Sequence, residues 1–424
     1  MRISHKLSII AAFILIVLIS SPARAQVTAI KAGKLVDPET GTTLTDQVIL
    51  VEDARIKAVG PNLAIPAGAA IIDLSRATVL PGVFDCHTHM AFMINRNGRE
   101  RGDLFFHDLS YTTAYRAIMG VVNSRSMLEA GFTTIRDVGN NGNYADTDLR
   151  HAIEAGVIPG PTMINAGRII APFGGQYQLQ PERPGLGEPE YLYADTRDEM
   201  RKAIRQNIHF GARVIKIVVD DQRYIYSADD IKFMVDEAAK AGVKLAAHCV
   251  TEAGARNAAE AGVASIEHGF QMSDETLELA KKNNVVLVST DLTEKAWMAY
   301  QMPEANAKRL HAMLIDRLKR AYKVGVTVAY GTDLIFSDPV ESRGSWSMTF
   351  IDNFVEAGWP AKATLQAMTI NAARLLGVER QRGAIKVGMF ADIIATAENP
   401  LDNILALKQV NFVMKNGKVF KQVK

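Results

Sequence analysis

Residues 241–248, AGVKLAAH, and residues 261–268, AGVASIEH, share one form that decides the fold. A small turn of the kind that ends a helix leads into an apolar run, and the run ends on a histidine. Four further segments have the same form and end on a charged residue: AGFTTIRD at 130–137, GARVIK at 211–216, NNVVLVSTD at 283–291 and VGVTVAYGTD at 324–333. Apolar runs of this kind suit strands that are buried on both faces. The repetition therefore predicts an α/β fold, a (β/α)8 TIM-like barrel.

The two ends of the mature chain carry short strand patterns instead of helix–strand units. These patterns cover residues 26–79 and again residues 383–424, where Asn416-Gly417 predicts a tight hairpin. Neither end has enough strands to bury its own apolar face. We therefore expect one small β-sandwich domain built from both termini, beside a barrel that spans residues 80–382.

Residues 1–25 have the three parts of a secretory signal peptide. A basic start precedes the apolar run LSIIAAFILIVLI at 7–19, and SSPARA follows at 20–25. We expect cleavage after Ala25, a periplasmic or secreted protein, and no stable membrane association after cleavage. The alternative is a membrane anchor, for which the run is shorter than the ~20 apolar residues of a typical span.

Charge and cysteine content narrow the class of partner. Removing Arg2, Lys6 and Arg24 takes the 48 Lys and Arg residues to 45, against 46 Asp and Glu. A mature net charge of −1 gives no electrostatic basis for binding nucleic acid or an anionic membrane. Cys86 and Cys249 each adjoin a histidine on a predicted strand, and alternation turns them outward as buried free thiols. A homo-oligomer is compatible with this composition, but no interface can be recognised.

Metal-binding residue types follow the predicted strands at the end where a barrel carries its active site. His87 and His89 in VLPGVFDCHTH are two residues apart, so both point to the same side of the first strand. His248, His268 and Asp333 end the fifth, sixth and eighth strands. Imidazole and carboxylate groups are common ligands of divalent metal ions. In addition, Asp333 can accept a proton from a metal-activated water and pass it to a leaving nitrogen.

Lys216 lies inside the apolar run VIKIVV at 214–219, where a charged amine is costly without a partner. It can pair with Asp220, or it can stay neutral and take up carbon dioxide. The resulting carbamate would be an anionic oxygen ligand that bridges two metal ions. Because the predicted site otherwise lacks a bridging carboxylate, we favour the carbamate.

The motifs FDCHTH, VIKIVV, AAHC, SIEHG and AYGTD occur in order on the expected strands, and a tail reads MTINAARLLGVERQRGAIKVGMFADIIA. With them the chain resembles the amidohydrolase superfamily, in particular its imidazolonepropionase-like and secreted prolidase-like branch, over essentially the whole mature sequence. The resemblance implies two divalent metal ions, with zinc expected, and a bridging hydroxide that attacks a carbonyl carbon. It assigns His87, His89 and Asp333 to one ion, His248 and His268 to the other, and carboxylated Lys216 to both.

Two positions depart from the family pattern, and both concern substrate recognition. Val250 stands where relatives often carry a tyrosine, and Gln176 stands where they often carry a histidine. Tyr224 and Tyr226, after the fourth strand, either offer a phenol to the substrate carbonyl or pack their loop. Arg343, after the eighth strand, either pairs with a substrate carboxylate or is a solvated surface residue. Gln176 is a further candidate donor to substrate.

These features predict an exported, binuclear metal-dependent amidohydrolase. The expected substrates are dipeptides or N-acyl amino acids with a free carboxylate, including Xaa-Pro-like and ochratoxin-like aromatic amides. The alternative is hydrolysis of a cyclic amide, such as an imidazolone or lactam. A non-catalytic periplasmic binding protein would be expected to have lost ligands, and all six are retained. Loops at 171–195 and 337–347 are expected over the active-site rim.

Overall fold

The computed structural model describes residues 27–92, 94–95, 110–139, 142–338 and 340–423, so the predicted leader and its cleavage after Ala25 lie outside the described residues. The strands are β1 Val27–Asp37, β2 Thr42–Glu52, β3 Arg55–Pro61, β4 Ala70–Pro81, β5 Val83–Thr88, β6 Ile94–Asn95, β7 Phe132–Asp137, β8 Thr162–Asn165, β9 Ile169–Ala171, β10 Tyr191–Tyr193, β11 Val214–Val218, β12 Lys244–Cys249, β13 Ser265–His268, β14 Val286–Ser289, β15 Val328–Tyr330, β16 Phe336–Ser337, β17 Ile393–Thr396, β18 Phe412–Lys415 and β19 Lys418–Gln422.

The α-helices, numbered among the described residues, are α1 Thr113–Glu129, α2 Ala145–Glu154, α3 Arg197–His209, α4 Ala228–Ala239, α5 Glu252–Ala261, α6 Asp274–Lys282, α7 Glu294–Ala299, α8 Glu304–Val324, α9 Arg343–Thr349, α10 Ile351–Glu356, α11 Ala361–Ala367 and α12 Ile370–Leu376. Two 3-10 helices cover Pro184–Gly187 and Ile404–Gln409. None of the helices within these described ranges has both the length and the apolar character needed to cross a bilayer.

Eight parallel strands form the predicted barrel. β5, β7 and β8 pair in that order, and β11 to β15 pair consecutively. The Arg213 backbone N–H donates to the Asn165 carbonyl at 2.7 Å, next to β8 and β11, and the Asp333 N–H donates to the His87 carbonyl at 2.8 Å, next to β15 and β5. All six turn-and-strand segments of the repeat became barrel strands, and the (β/α)8 fold is confirmed.

The helices between these strands begin where the sequence has capping residues. The side chains of Ser227, Thr251 and Ser273 each accept a hydrogen bond from a backbone N–H in the first turn of α4, α5 and α6. These bonds fix the starts of the helices that return the chain to the next strand. They thereby position the strand ends that carry His248 and His268.

Both termini contribute to one seven-stranded sheet, in the order β19-β18-β17-β4-β1-β2-β3. The Ile56 N–H donates to the Met389 carbonyl at 2.9 Å, so the β3 edge meets the segment that leads into β17. The sheet thus curves around a core of its own, formed by residues from both termini: Ile30, Ile49, Val51, Ile56, Leu74, Ile393, Phe412 and Met414. The predicted terminal β domain is consistent with this sheet, while its boundaries at 26–79 and 383–424 stay predictions.

Cys86 and Cys249 are buried free thiols, as predicted. Cys86 packs among apolar residues that include Ala372 and Ala373 of α12, outside the barrel wall. This is the outward orientation expected from strand alternation.

The segment at 337–347 was predicted to be a loop, but part of it is helical. Ser342 accepts a hydrogen bond from the Ser345 N–H and caps α9, which begins at Arg343. The other predicted loop, 171–195, contains β10 and a 3-10 turn and contributes several residues to the cavity described below. In the 337–347 segment, the overlooked signal was Ser342, a residue type that caps helices.

The β18–β19 hairpin turns at Asn416-Gly417, where both residues have positive φ, 48° and 75°. A Cβ on Gly417 would lie 2.1 Å from the Asp53 carbonyl oxygen. We expect Gly417→Ala to destabilise the fold by about 2–3 kcal/mol, since it combines left-handed strain with this clash. Gly68→Ala is the matched control, because Gly68 has φ of 83° and no atom within 4 Å of its Cβ position. Urea denaturation of both variants measures the difference, and equal losses would contradict the role of the Asp53 contact.

Candidate active site

Three of the predicted ligands meet where β5 and β15 end. One Asp333 carboxylate oxygen lies 3.1 Å from His89 Nε2 and 3.6 Å from His87 Nε2. One ligand atom from each of the three residues lies within 4.8 Å of the other two. The spacing suits a shared divalent cation, since two imidazoles and a carboxylate are common zinc ligands.

The other three predicted ligands face the same cavity. Lys216 Nζ lies 3.5 Å from His87 Nε2. The ring centroids of His248 and His268 are 4.4 Å apart, and those of His268 and His87 are 4.9 Å apart. All six residues line one cavity at the carboxyl ends of the barrel strands, together with Phe92, Ile169, Gln176, Tyr177, Glu190, Tyr191 and Ile335.

Burial sets the protonation states of these groups. It lowers the pKa of His87 to about 3, with a further contribution from the Lys216 charge, and it lowers the pKa of Lys216 to about 8. Burial alone would raise the pKa of Asp333, but the neighbouring His87, His89 and Lys216 outweigh it and hold that pKa below its ordinary value. A neutral imidazole and an ionised carboxylate are the forms that bind metal ions.

Outer partners orient the histidines. His87 Nδ1 lies 2.8 Å from a Glu267 carboxylate oxygen, His89 Nδ1 lies 3.3 Å from the Gly139 carbonyl, and His268 Nδ1 lies 2.6 Å from Thr290 Oγ1. With Nδ1 of His87 and His89 engaged in this way, their Nε2 atoms are left for Asp333 and the cavity. Metal-ligating histidines characteristically have such a second partner. The residues present therefore fit a metal centre.

The backbone is left-handed at several non-glycine residues of the site. His268 and Asp333 have φ of 70° and 53°, and Asp221, whose carboxylate oxygen lies 3.3 Å from His248 Nε2, has φ of 91°. Such conformations cost free energy and often occur at functional sites. At His268 the conformation breaks the alternation of β13, so that the consecutive residues Glu267 and His268 both contact His87.

Glu267 is a site residue that the sequence interpretation missed. It is fully buried and bonds to His87 on one side and to Arg136 on the other. The available signal was a charged residue inside a short apolar strand, the same signal that singled out Lys216.

Asp220, the alternative partner of Lys216, is engaged elsewhere. Its carboxylate accepts hydrogen bonds from the Val250 N–H, the Thr251 N–H and the Thr251 hydroxyl, at 2.6–2.8 Å. These bonds tie the end of β11 to the start of α5. The geometry therefore leaves Asp220 unavailable as the partner of Lys216.

Among the four predicted substrate residues, Gln176 lines the cavity. Its Nε2 donates to an Asp221 carboxylate oxygen at 2.9 Å, and its Oε1 accepts from the Tyr191 hydroxyl at 2.9 Å. Tyr226 is fully buried and donates to the Ala194 carbonyl, so it packs its loop instead of meeting substrate. Tyr224 is 55% exposed and does not line the cavity, which corrects the prediction of a phenol at the substrate carbonyl.

Arg343 is also corrected, and neither of its predicted roles holds. It is 6% exposed, and its guanidinium donates to the carbonyls of Leu334 and Phe92. The helix that starts at Arg343 turns the side chain inward, behind the cavity wall that Phe92 and Ile335 form. It supports that wall and does not face a substrate carboxylate.

A barrel with histidine, lysine and aspartate at the carboxyl ends of its strands defines a class of metal-site hydrolases. The model of the amidohydrolase family matches residues 78–420, and the chain belongs to this family. The family is typically metal-dependent, which agrees with the His87–His89–Asp333 cluster.

Two relatives and one solved structure narrow the comparison. The chain is 29% identical to an ochratoxinase of Aspergillus niger over 444 residues, covering 95% of this chain and 88% of the relative. It is 24% identical to an imidazolonepropionase of Thermoanaerobacter pseudethanolicus over 406 residues, covering 90% of this chain and 91% of the relative. The crystal structure of a Xaa-Pro dipeptidase with methionine bound in its active site superimposes with a TM-score of 0.82 at 28% identity. The match covers 93% of this chain and 100% of the dipeptidase chain. The protein is a hydrolase that acts on C–N bonds, and the predicted superfamily branch is confirmed.

Proposed function

We propose that this protein is an exported, binuclear metal-dependent amidohydrolase that cleaves the amide bond of dipeptides or N-acyl amino acids. The observation that carries this proposal is the convergence of four histidines, an aspartate and a buried lysine on one cavity. Relatives that are named ochratoxinase and Xaa-Pro dipeptidase support the substrate class.

The site would hold two divalent ions, with zinc expected. His87, His89 and Asp333 would hold one ion, His248 and His268 the other, and carboxylated Lys216 both. When bound, such ions supply Lewis-acid activation of water and of the substrate carbonyl.

Lys216 would become a bridging ligand by reacting with carbon dioxide. The lone pair of its neutral amine forms a bond to the carbon, one N–H proton is released, and the product is a carbamate with one negative charge. The buried position and the pKa of about 8 favour the neutral amine that this reaction needs. The engagement of Asp220 by Thr251 removes the competing partner.

Asp333 would transfer the proton. Its ionised carboxylate lies 3.1 Å from His89 Nε2 at the cavity wall, where it can accept a proton from the attacking water. The same group can then donate the proton to the leaving nitrogen as the C–N bond breaks.

The cavity wall favours substrates with an apolar or aromatic group. Phe92, Tyr177 and Tyr191 contribute aromatic surface, and Ile169 and Ile335 contribute aliphatic surface. Cavities with mostly apolar walls and a few fixed polar groups bind small molecules of this type. The Gln176 amide is the polar group best placed to orient the substrate.

We expect the zinc-loaded mature protein to hydrolyse dipeptides and N-acyl amino acids with aromatic or proline residues. Product amino acids, quantified by mass spectrometry, would measure this. Asp333→Asn prepared in parallel is the control for contaminating peptidases. Cleavage of neither series by protein with two bound metals would contradict the proposal and favour cyclic amides, for which the imidazolonepropionase relative is the precedent.

Export is part of the proposal and rests on the leader pattern at residues 1–25. In a bacterial host, the mature protein should be found outside the cytoplasm with Gln26 as its first residue. Intact mass of the purified protein measures this, and a retained leader would contradict it.

A further inference from the structure

A buried ion pair lies beneath the metal-binding residues, inside the barrel. Arg136 on β7 and Glu267 on β13 are each at most 1% exposed, and Arg136 Nη2 donates to Glu267 Oε1 at 2.7 Å. The second carboxylate oxygen of Glu267 lies 2.8 Å from His87 Nδ1 on β5. Three strands of the barrel therefore meet in one polar chain that ends on a proposed ligand.

Every polar group of this pair has a defined partner. Arg136 Nη1 donates to Ser265 Oγ at 2.9 Å, and Arg136 Nε donates to the Cys86 carbonyl at 2.6 Å. Ser265 Oγ in turn donates to Glu267 Oε1 at 2.5 Å. Arg136 is thus bonded both to the backbone next to His87 and to the carboxylate that holds the His87 ring.

This arrangement has a direct consequence for His87. A carboxylate at Nδ1 fixes the tautomer with the proton on Nδ1 and leaves Nε2 facing Asp333 and Lys216. It also makes Nε2 a more basic, stronger ligand. An ionised carboxylate in a fully buried place needs a fixed counter-charge, and Arg136 supplies it.

We propose that the Arg136–Glu267 pair positions His87 as a ligand of the ion that His87, His89 and Asp333 would hold. The pair acts through His87 and touches no substrate. This inference rests on the proposed function, in which His87 is a metal ligand. A purely structural ion pair is the competing explanation. It would affect stability without a specific effect on metal affinity.

The test is the zinc affinity of the metal-free protein, measured by competition with a chromophoric chelator. We expect Glu267→Gln to weaken one of the two zinc sites by about 10–100-fold, the range for outer-shell partners of metal ligands. Asp392→Asn is the matched control, since it breaks the buried Arg382–Asp392 ion pair of the terminal sheet. We expect this control to lower the melting temperature and to bind zinc as wild type does.

The double variant Arg136→Met/Glu267→Gln removes both charges, so it leaves no unpaired charge in the barrel if Glu267→Gln alone unfolds. It should show the same weakening of one zinc site. Wild-type zinc affinity in either folded variant would overturn the positioning role. Loss of folding in both variants, with Asp392→Asn folded, would also overturn it and assign the pair to structure.

Different outcomes would contradict the proposed function itself. If the wild-type protein binds no zinc, or if His87→Ala binds zinc as tightly as wild type, the metal role of His87 is contradicted. If His87→Ala loses affinity while Glu267→Gln keeps it, the contradiction is confined to the role of the ion pair.

Discussion

Replacing Lys216 by alanine is expected to lower kcat by more than about 100-fold, the upper loss seen for outer-shell partners of metal ligands, and to reduce bound zinc below two ions per chain. The reason is that the carbamate would contact both ions, whereas each histidine contacts one. Metal analysis and kcat on the best substrate from the amide panel measure the two effects.

A second buried lysine offers a matched control for this variant. Lys415 on β18 is 7% exposed, and burial lowers its pKa to about 8, as it does for Lys216. Lys415→Ala should lose some stability and keep full activity. A Lys216→Ala protein with two zinc ions and wild-type kcat would rule the bridging role out.

The carbamate itself can be tested in the wild-type protein. Metal-free protein kept without carbon dioxide should regain activity with zinc only after bicarbonate is added. Since the pKa of Lys216 is about 8, the reactive neutral amine is the minor form at pH 7 and the major form at pH 9. At a fixed concentration of dissolved carbon dioxide, reactivation should therefore be faster at pH 9. In Lys216→Ala, a small carboxylate such as propionate should restore part of the activity by occupying the vacated space.

Sequence patterns singled out the proposed ligands because each one stands at the end of an apolar strand or, for Lys216, inside one. An apolar run that follows the end of a helix has few structural alternatives to a buried strand. The parallel barrel then brings the carboxyl ends of all such strands to one rim. His87 and His89 were recognised as a pair because residues two apart on a strand share a face. The barrel and its proposed ligands therefore followed from local patterns of a few residues each.

The contacts of Glu267 with His87 and Arg136 could not be recognised in this way. Strand alternation predicts that Glu267 faces away from the side occupied by His268, and the left-handed backbone at His268 overrides that expectation. Arg136 follows an apolar run, as the ligands do, but its partner is 131 residues away in the chain. Pairings of that range depend on the closed barrel and have no local signature.

The positions of Tyr226 and Arg343 could not be predicted for a related reason. Tyr226 and Arg343 were chosen because they follow barrel strands, but loop side chains turn inward or outward according to caps and contacts that a single sequence does not specify. Ser342 caps the helix that buries Arg343, while Tyr226 donates to the carbonyl of Ala194, 32 residues earlier in the chain. The cavity wall is instead built by residues from separate loops, such as Phe92 and Tyr191.

Asp333→Asn is expected to lower kcat by about 10²–10⁴-fold with a smaller change in KM, because the amide can neither accept nor deliver the proton. Asp333 is also a proposed ligand, so bound zinc must be measured beside kcat. Asp338→Asn is the control, since Asp338 belongs to the same connection between β15 and α9 and does not line the cavity. An unchanged kcat in Asp333→Asn would exclude the proton-transfer role.

The dependence of the Asp333→Asn loss on the leaving group separates proton transfer from metal binding. The loss should shrink for an anilide whose leaving nitrogen needs little protonation, and stay large for an alkyl amide. If Asp333 acted only as a ligand, both amides would lose the same factor, since the metal-dependent step is common to them.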